Sequence, residues 1–269
     1  MDALRKADFP FSMLNESIFA PRKTIPGDPD EQTLGSDPVF LVQASFITGG
    51  LVLTFVGQHN AMDMTGQDSY EPGSEMDHFI LKSPPFYSEL ESVDKSHPPP
   101  PKSTSTLCRA VDVRQYCNIS STYPGLMLNM KSQRCVIEEL MKEPLGGLAS
   151  KLRSALDPKT RAYESSALAT LIHRSPNKNL ISFCSNLDPN TDIALSSWAK
   201  LNSYELEFNL GLGKPEAVRR PQFIPIEGLI YFMPKDLEGG ITVAICLREE
   251  DMKKLRIDEE FSKYAKYIG

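Results

Sequence analysis

The clearest hydrophobic pattern in the chain lies between Val39 and Val56. Val39 to Ile47 is β-branched and aromatic, Thr48-Gly49-Gly50 is a turn signal, and Leu51 to Val56 is β-rich again. Two such runs around a glycine pair predict a β-hairpin. Further on, Cys108 to Val113 reads as a short strand. Val136 to Met141, Leu148 to Leu156 and Thr160 to His173 have helical spacing. Pro144-Leu145-Gly146-Gly147 separates the first two of these, and Leu168, Leu171 and Ile172 form the apolar face of the third. Leu180 to Cys184, Ile193 to Trp198, Leu229 to Met233 and Ile241 to Leu247 are predicted strands, with Asp236 to Gly240 turning the last two into a hairpin. A closing helix is expected from about Glu249 to Tyr267, burying Met252, Leu255, Phe261 and Tyr264. Strands and helices mix without strict β-α-β alternation, so the class is mixed-sheet α/β (α+β). No internal repeat is visible.

Pro- and Asp-rich residues follow a short predicted helix in 1–36, which reads as loop. Between Ser83 and Thr106 the chain is rich in Pro, Ser and Thr, with His97-Pro98-Pro99-Pro100-Pro101 at its centre. Four consecutive prolines cannot join a helix or a central strand. The chain is therefore expected to divide into 1–83, a linker at 84–106, and 107–269. A length of 269 residues at 41% hydrophobic content supports one large domain or two small ones. The net charge of -6 argues against nucleic-acid and anionic-membrane partners. No apolar run is long enough to span a bilayer, and the first residues lack the apolar stretch of a signal peptide. The five cysteines (Cys108, Cys117, Cys135, Cys184, Cys246) are scattered without a Cys-x-x-Cys pair. Free thiols in a reducing cytosol fit them better than disulfides or a zinc site. Asn118-Ile119-Ser120 has the glycosylation spacing, read as chance without a secretion signal.

Two strings carry candidate chemistry. Gly57-Gln58-His59-Asn60-Ala61-Met62-Asp63 places an imidazole just past a strand, with an aspartate four positions on. Imidazole exchanges protons near neutral pH, and a strand end holds it rigidly, so His59 is a candidate general base. The bland alternative is a structural histidine. The second string is Ser196-Ser197-Trp198 followed by Glu207-Phe208-Asn209-Leu210-Gly211-Leu212-Gly213-Lys214-Pro215. Its two glycines allow a tight turn or a close approach. Lys214, Arg219 and Arg220 either meet phosphates or form a solvated loop. His78, His97 and His173 have no partner at metal-ligand spacing, so no metal is expected.

Together the strings resemble the BAHD superfamily of acyl-CoA-dependent acyltransferases, whose downstream signature is Asp-Phe-Gly-Trp-Gly, and within it the fungal trichothecene 3-O-acetyltransferases. Phe19 to Thr24, Cys108 to Arg114, Tyr123 to Leu126, Tyr231 to Lys235 and Lys263 to Gly269 extend the likeness. The resemblance implies a chloramphenicol-acetyltransferase-like fold of two domains facing a solvent channel. Acyl-CoA would enter from one side as co-substrate, with no permanently bound cofactor, and a secondary-metabolite alcohol from the other. By that likeness His59, Asp63 and Ser196 form the catalytic set, with His59 as base, Asp63 paired to Arg114, and the Ser196 hydroxyl near the developing oxyanion. Trp198 and Lys214 fall at acyl-CoA-binding positions, with Arg114, Glu207, Gly211 and Gly213 in support.

The chain departs from the pattern in three ways. Relatives carry about a hundred residues ahead of its first, leaving the N-terminal domain incomplete. A block between Gln67 and Cys108 is shortened, and Glu207 and Asn209 stand where the signature has Asp and Gly. These departures favour a competing reading, a non-catalytic relative that only binds a ligand or partner.

Overall fold

A computed structural model describes residues 1–20, 38–59, 61–65, 103–177, 181, 187–188, 190–220 and 226–268. The His97–Pro101 run and most of the predicted Leu180–Cys184 strand lie outside these residues. By its internal contacts the chain forms two compact units. One comprises Met1–Pro26, Thr33–Gln58 and Ser197–Gly269, the other Gly27–Gln32 and His59–Ser196.

In the first unit, α1 (Asp2–Lys6) and α2 (Glu16–Phe19) precede the hairpin of β1 (Phe40–Ile47) and β2 (Gly50–Gly57). The strands pair antiparallel from Phe40 opposite Gly57 to Ile47 opposite Gly50. Thr48 and Gly49 form the turn. Gly49 has φ 79°, a left-handed conformation that glycine adopts without the Cβ clash. The later part of this unit holds a second hairpin, β6 (Leu229–Lys235) and β7 (Ile241–Ile245). Met233 in β6 is fully buried, and the register shifts between Phe232 and Lys235. Pro234, which cannot donate to a ladder, sits within that shift. The expected single closing helix is two: α7 (Glu249–Ile257) and α8 (Glu259–Ser262). Asp258 breaks the helix with an extended backbone (φ -70°, ψ 117°) and accepts from the Phe261 N–H, capping the second piece. Met252, Leu255 and Phe261 are half-buried as expected, but Tyr264, past the end of α8, is 72% exposed.

The second unit is built on β3 (Thr104–Asp112), β4 (Leu128–Val136) and β5 (Ile193–Ser197, its last residue in the first unit). β3 pairs antiparallel with β4 along its whole length and parallel with β5 from Leu107 opposite Ile193 to Arg109 opposite Leu195. β3 begins at Thr104, so its first three residues fall inside the stretch read as linker. β4 was not expected at all, because Asn129, Lys131, Ser132, Gln133 and Arg134 hide its alternation. The helices of this unit include α3 (Arg114–Cys117), α4 (Ile137–Lys142), α5 (Leu145–Ser154) and α6 (Pro158–Arg174). Asp157 caps α6 by accepting from the Thr160 N–H at 2.8 Å, and Pro158 occupies the first turn, where no N–H is needed. The buried face of α6 is not the one expected. Leu168 and Ile172 are half-buried, Leu171 is 55% exposed, and Arg161 and Ser165 are the buried residues.

Candidate active site

β2 ends at Gly57, and Gln58 closes the hairpin by donating its N–H to the Val39 carbonyl at 2.8 Å. His59 follows in a turn with its ring exposed, and Ala61, Met62 and Asp63 then plunge into the second unit as buried residues. The imidazole is thus carried between a closed β ladder and an anchored segment.

The anchor is ionic. The Arg114 guanidinium meets Asp63 through two parallel bonds, Nη1 to Oδ2 at 3.0 Å and Nη2 to Oδ1 at 2.9 Å. The two side chains are only 2% and 1% exposed. Asp63 Oδ2 also accepts from the Met127 N–H at 2.9 Å. Arg114 spends its remaining donors on the Tyr123 carbonyl (2.9 Å), the Gly125 carbonyl (2.6 Å) and Asp112 Oδ1 (3.0 Å). Burial alone would lower its pKa, but the bonds and charges of Asp63 and Asp112 outweigh that and raise it. Every strong donor of this buried cation therefore has an acceptor, the condition under which a buried pair is tolerable. The clamp ties three segments together: the turn after His59, the end of β3, and the 123–127 loop. Sequence reasoning reached Asp63 and Arg114 but missed Asp112, whose position two residues before the arginine was the available signal.

Ser196 lies on β5 and is half-buried. It belongs to the same unit as His59, Asp63 and Arg114. The remaining predicted residues belong to the other unit. Trp198 donates its N–H to the Phe232 carbonyl at 2.8 Å, and its ring lies 6.2 Å from that of Tyr231, tilted by 53°. The Arg220 guanidinium covers both rings, 5.2 Å from the indole centroid and 4.1 Å from the phenol centroid. This cation–π stack was not foreseen.

The cations of the basic run have partners within the fold. Lys214 forms an ion pair with Glu205 that raises its pKa. Arg219 donates to the Phe9 carbonyl at 2.9 Å, the Tyr204 hydroxyl at 3.3 Å and the Val218 carbonyl at 2.9 Å. Glu207 is exposed, while Phe208 stacks on Phe55 at 5.3 Å. Gly211 and Gly213 have φ 70° and 76°, and a Cβ on either would meet nothing within 4 Å. Both glycines serve the turn, and neither is held by a close approach to a neighbouring residue. Asn209 has φ 50°. A short polar side chain tolerates that region better than most, which suits Asn at a signature glycine position.

The structure thus shows a strand-end histidine followed by a buried Asp–Arg clamp in one unit, and a Gly-x-Gly turn in the other. A family model described as the trichothecene 3-O-acetyltransferase-like N-terminal domain matches residues 1–70, and one described as the transferase family matches residues 91–262. The chain belongs to this transferase family of BAHD acyltransferases, an enzyme family of acyl-CoA-dependent O-acyltransferases. It is 40% identical to an O-acetyltransferase of Cryptosporiopsis sp., over all of this chain and 78% of that protein. With the trichothecene 3-O-acetyltransferase of Fusarium sporotrichioides the identity is 38%, over 100% and 77%. The crystal structure of that protein with coenzyme A and T-2 superposes with a TM-score of 0.84 at 37% identity, covering all of this chain and 78% of its own. The Fusarium graminearum protein with coenzyme A and deoxynivalenol gives a TM-score of 0.86 at 34% identity, with the same coverage. The Cryptosporiopsis alignment runs over 358 residues against the 269 of this chain. Fusarium structures were solved with coenzyme A or ethyl coenzyme A bound.

Proposed function

We propose that the chain transfers an acyl group, acetyl in the first instance, from acyl-CoA to the hydroxyl of a trichothecene-type alcohol, with His59 as general base. His59 Nε2 or Nδ1 takes the hydroxyl proton while the oxygen attacks the thioester carbonyl. The tetrahedral oxyanion then collapses, the carbon–sulfur bond breaks, and the imidazolium returns its proton to the thiolate. The Ser196 hydroxyl donates to the oxyanion, a bond worth about 3 kcal/mol in comparable sites. Trp198 and Lys214 belong to the acyl-CoA-binding side, and Arg114, Glu207, Gly211 and Gly213 hold these parts in place. The observation that carries the reading is the fully satisfied Asp63–Arg114 clamp four residues behind an exposed imidazole. It restrains the segment bearing His59 at a considerable energetic commitment, as a positioned base requires.

The Fusarium proteins bind coenzyme A and trichothecenes in their crystals, which suggests the same pair of ligands here. The scattered thiols point to a reducing compartment such as the cytosol, and no described helix is long and apolar enough to cross a membrane. We further propose the division into 1–83, 84–106 and 107–269 as the functional organisation of the chain.

The test is coenzyme A release from acetyl-CoA in the presence of a trichothecene alcohol. Wild type should turn over, and His59→Ala should lose on the order of 10²–10⁴ in rate. Equal inertness of the two would remove the catalytic reading. A second reading, a binding protein without turnover, is favoured by the length difference from its relatives and by Glu207 and Asn209 in the signature. Saturable coenzyme A binding by calorimetry without turnover would establish it.

A further inference from the structure

Between β3, β4 and α6 the described residues of the second unit gather more positive charge than they neutralise. Arg109 and Lys131 are direct partners in the antiparallel register, an arrangement that is repulsive for like charges. Arg161 of α6 is 0% exposed. Burial first, and then the charge of Arg161, lowers the pKa of Arg109. Burial, then Arg161 and Arg109, likewise lowers that of Lys131. The three cations thus share one neighbourhood. Among the described residues the carboxylate in ion-pair contact with them is Glu164, bonded to Arg161 and, at 3.3 Å, to Lys131. Arg109 gives one Nη2 bond to the Leu152 carbonyl at 2.9 Å. Its Nε and the Nε and Nη1 of Arg161 are buried without an acceptor among the described residues.

Buried donors without acceptors are costly, and a buried charge with too little counter-charge more so. The arrangement contrasts with Arg114, whose strong donors are all answered. We infer that Arg109, Lys131 and Arg161 form a binding site for a phosphate-class oxyanion. Two guanidinium forks and an ammonium offer the planar and point donors that tetrahedral oxyanions accept. Among the described residues three cations stand against one carboxylate, which leaves two positive charges that a phosphate dianion neutralises and a carboxylate does not. Access is past Lys131 and Glu164, whose side chains stay 22% and 38% exposed. The same group arrives either as free orthophosphate or as the phosphomonoester of a nucleotide ligand.

Thermal unfolding of the full chain in potassium phosphate, against potassium chloride at equal pH and ionic strength, tests the site. Phosphate should raise the midpoint temperature saturably, as ligand linkage requires, and chloride should not. Lys131→Gln, on the accessible rim, should weaken the phosphate midpoint concentration about tenfold, the scale of one charge-assisted bond. Glu164→Gln should tighten it, because it removes the competing carboxylate, a change of opposite sign that general destabilisation does not produce. Binding of coenzyme A and dephospho-coenzyme A separates the sources. A preference for coenzyme A that Lys131→Gln abolishes identifies the nucleotide phosphomonoester. Orthophosphate saturation without such a preference identifies the free ion. Phosphate acting no differently from chloride with no coenzyme A preference, or weaker phosphate binding in Glu164→Gln, overturns the inference.

Discussion

The Asp63–Arg114 pair is worth more to this chain than its Coulomb attraction. Removing one partner leaves the other buried with several open hydrogen bonds, at a cost of about 3–5 kcal/mol. Asp63→Asn should therefore shift the urea unfolding midpoint far more than the neighbouring exposed change Gln115→Ala, which should stay within about 0.5 kcal/mol. If Asp63→Asn were equally mild, the clamp would not be holding the His59 turn. Arg220 makes a different kind of contact. Trp198 is the one tryptophan of the chain, so its emission reports the stack directly. Arg220→Met removes the cation but keeps most of the apolar stem, and should shift the emission maximum and raise the KM for acyl-CoA more than it lowers kcat. An unchanged spectrum would mean that the guanidinium does not rest on the indole in solution. The contrast shows which residues a sequence reveals. His59, Asp63 and Trp198 sit in short strings with chemical meaning, whereas Arg220 gains its role only because Tyr231 of β6 lies beside the indole.

Elements were legible where the side-chain pattern and the backbone signal agreed. The β1–β2 hairpin had both, a β-rich pair of runs and a glycine turn, and it forms with a two-residue connection. β4 had only half: its ladder to β3 is complete, but its polar residues hide the alternation, and Lys131 among them lies beside the charges of Arg109 and Arg161. The closing helix failed for another reason. Its apolar spacing continues through Asp258, and nothing in periodicity distinguishes a polar surface position from a cap. Caps also set a pH dependence. Asp157 has its pKa held below the usual carboxylate range, first by the Thr160 backbone N–H and then by the Thr160 hydroxyl. A depressed folded-state pKa adds stability that is complete above the unfolded value and disappears as pH falls through the folded one. Asp157→Ala should therefore melt lower than wild type at pH 7, and the gap should close below about pH 4. A gap that stays constant down to pH 2 would exclude the cap bond as its source. The Gly-x-Gly loop gives the complementary test. Gly211→Ala meets no steric neighbour, so its cost should be the backbone penalty alone, roughly 1–2 kcal/mol. Asn209→Gly should cost nothing measurable in the same denaturation experiment.

For the whole molecule the decisive quantity is how much apolar surface the fold covers. Among the described residues the buried hydrophobics include Met62, Met233 and Tyr204 beside small side chains such as Ala20, Ala61 and Cys108, while many other large ones stay in water. Phe46 is 83% exposed, Met141 82%, Ile257 80% and Tyr163 75%. These residues come from four separate elements, two in each unit. Relatives that align over 358 residues have additional chain inside the aligned span to spend on covering such faces. At about 25 cal/mol per square ångström, a few hundred square ångströms of uncovered apolar area equal the whole stability of an ordinary domain. The chain should accordingly bind the dye ANS at neutral pH and show a urea m-value below that of a well-packed protein of its length. Saturating coenzyme A should dim the dye and steepen the transition if ligand binding consolidates the fold. A chain that excludes ANS and unfolds in one steep transition would instead have found cover for these faces, and would place its relatives' extra residues outside what the fold requires.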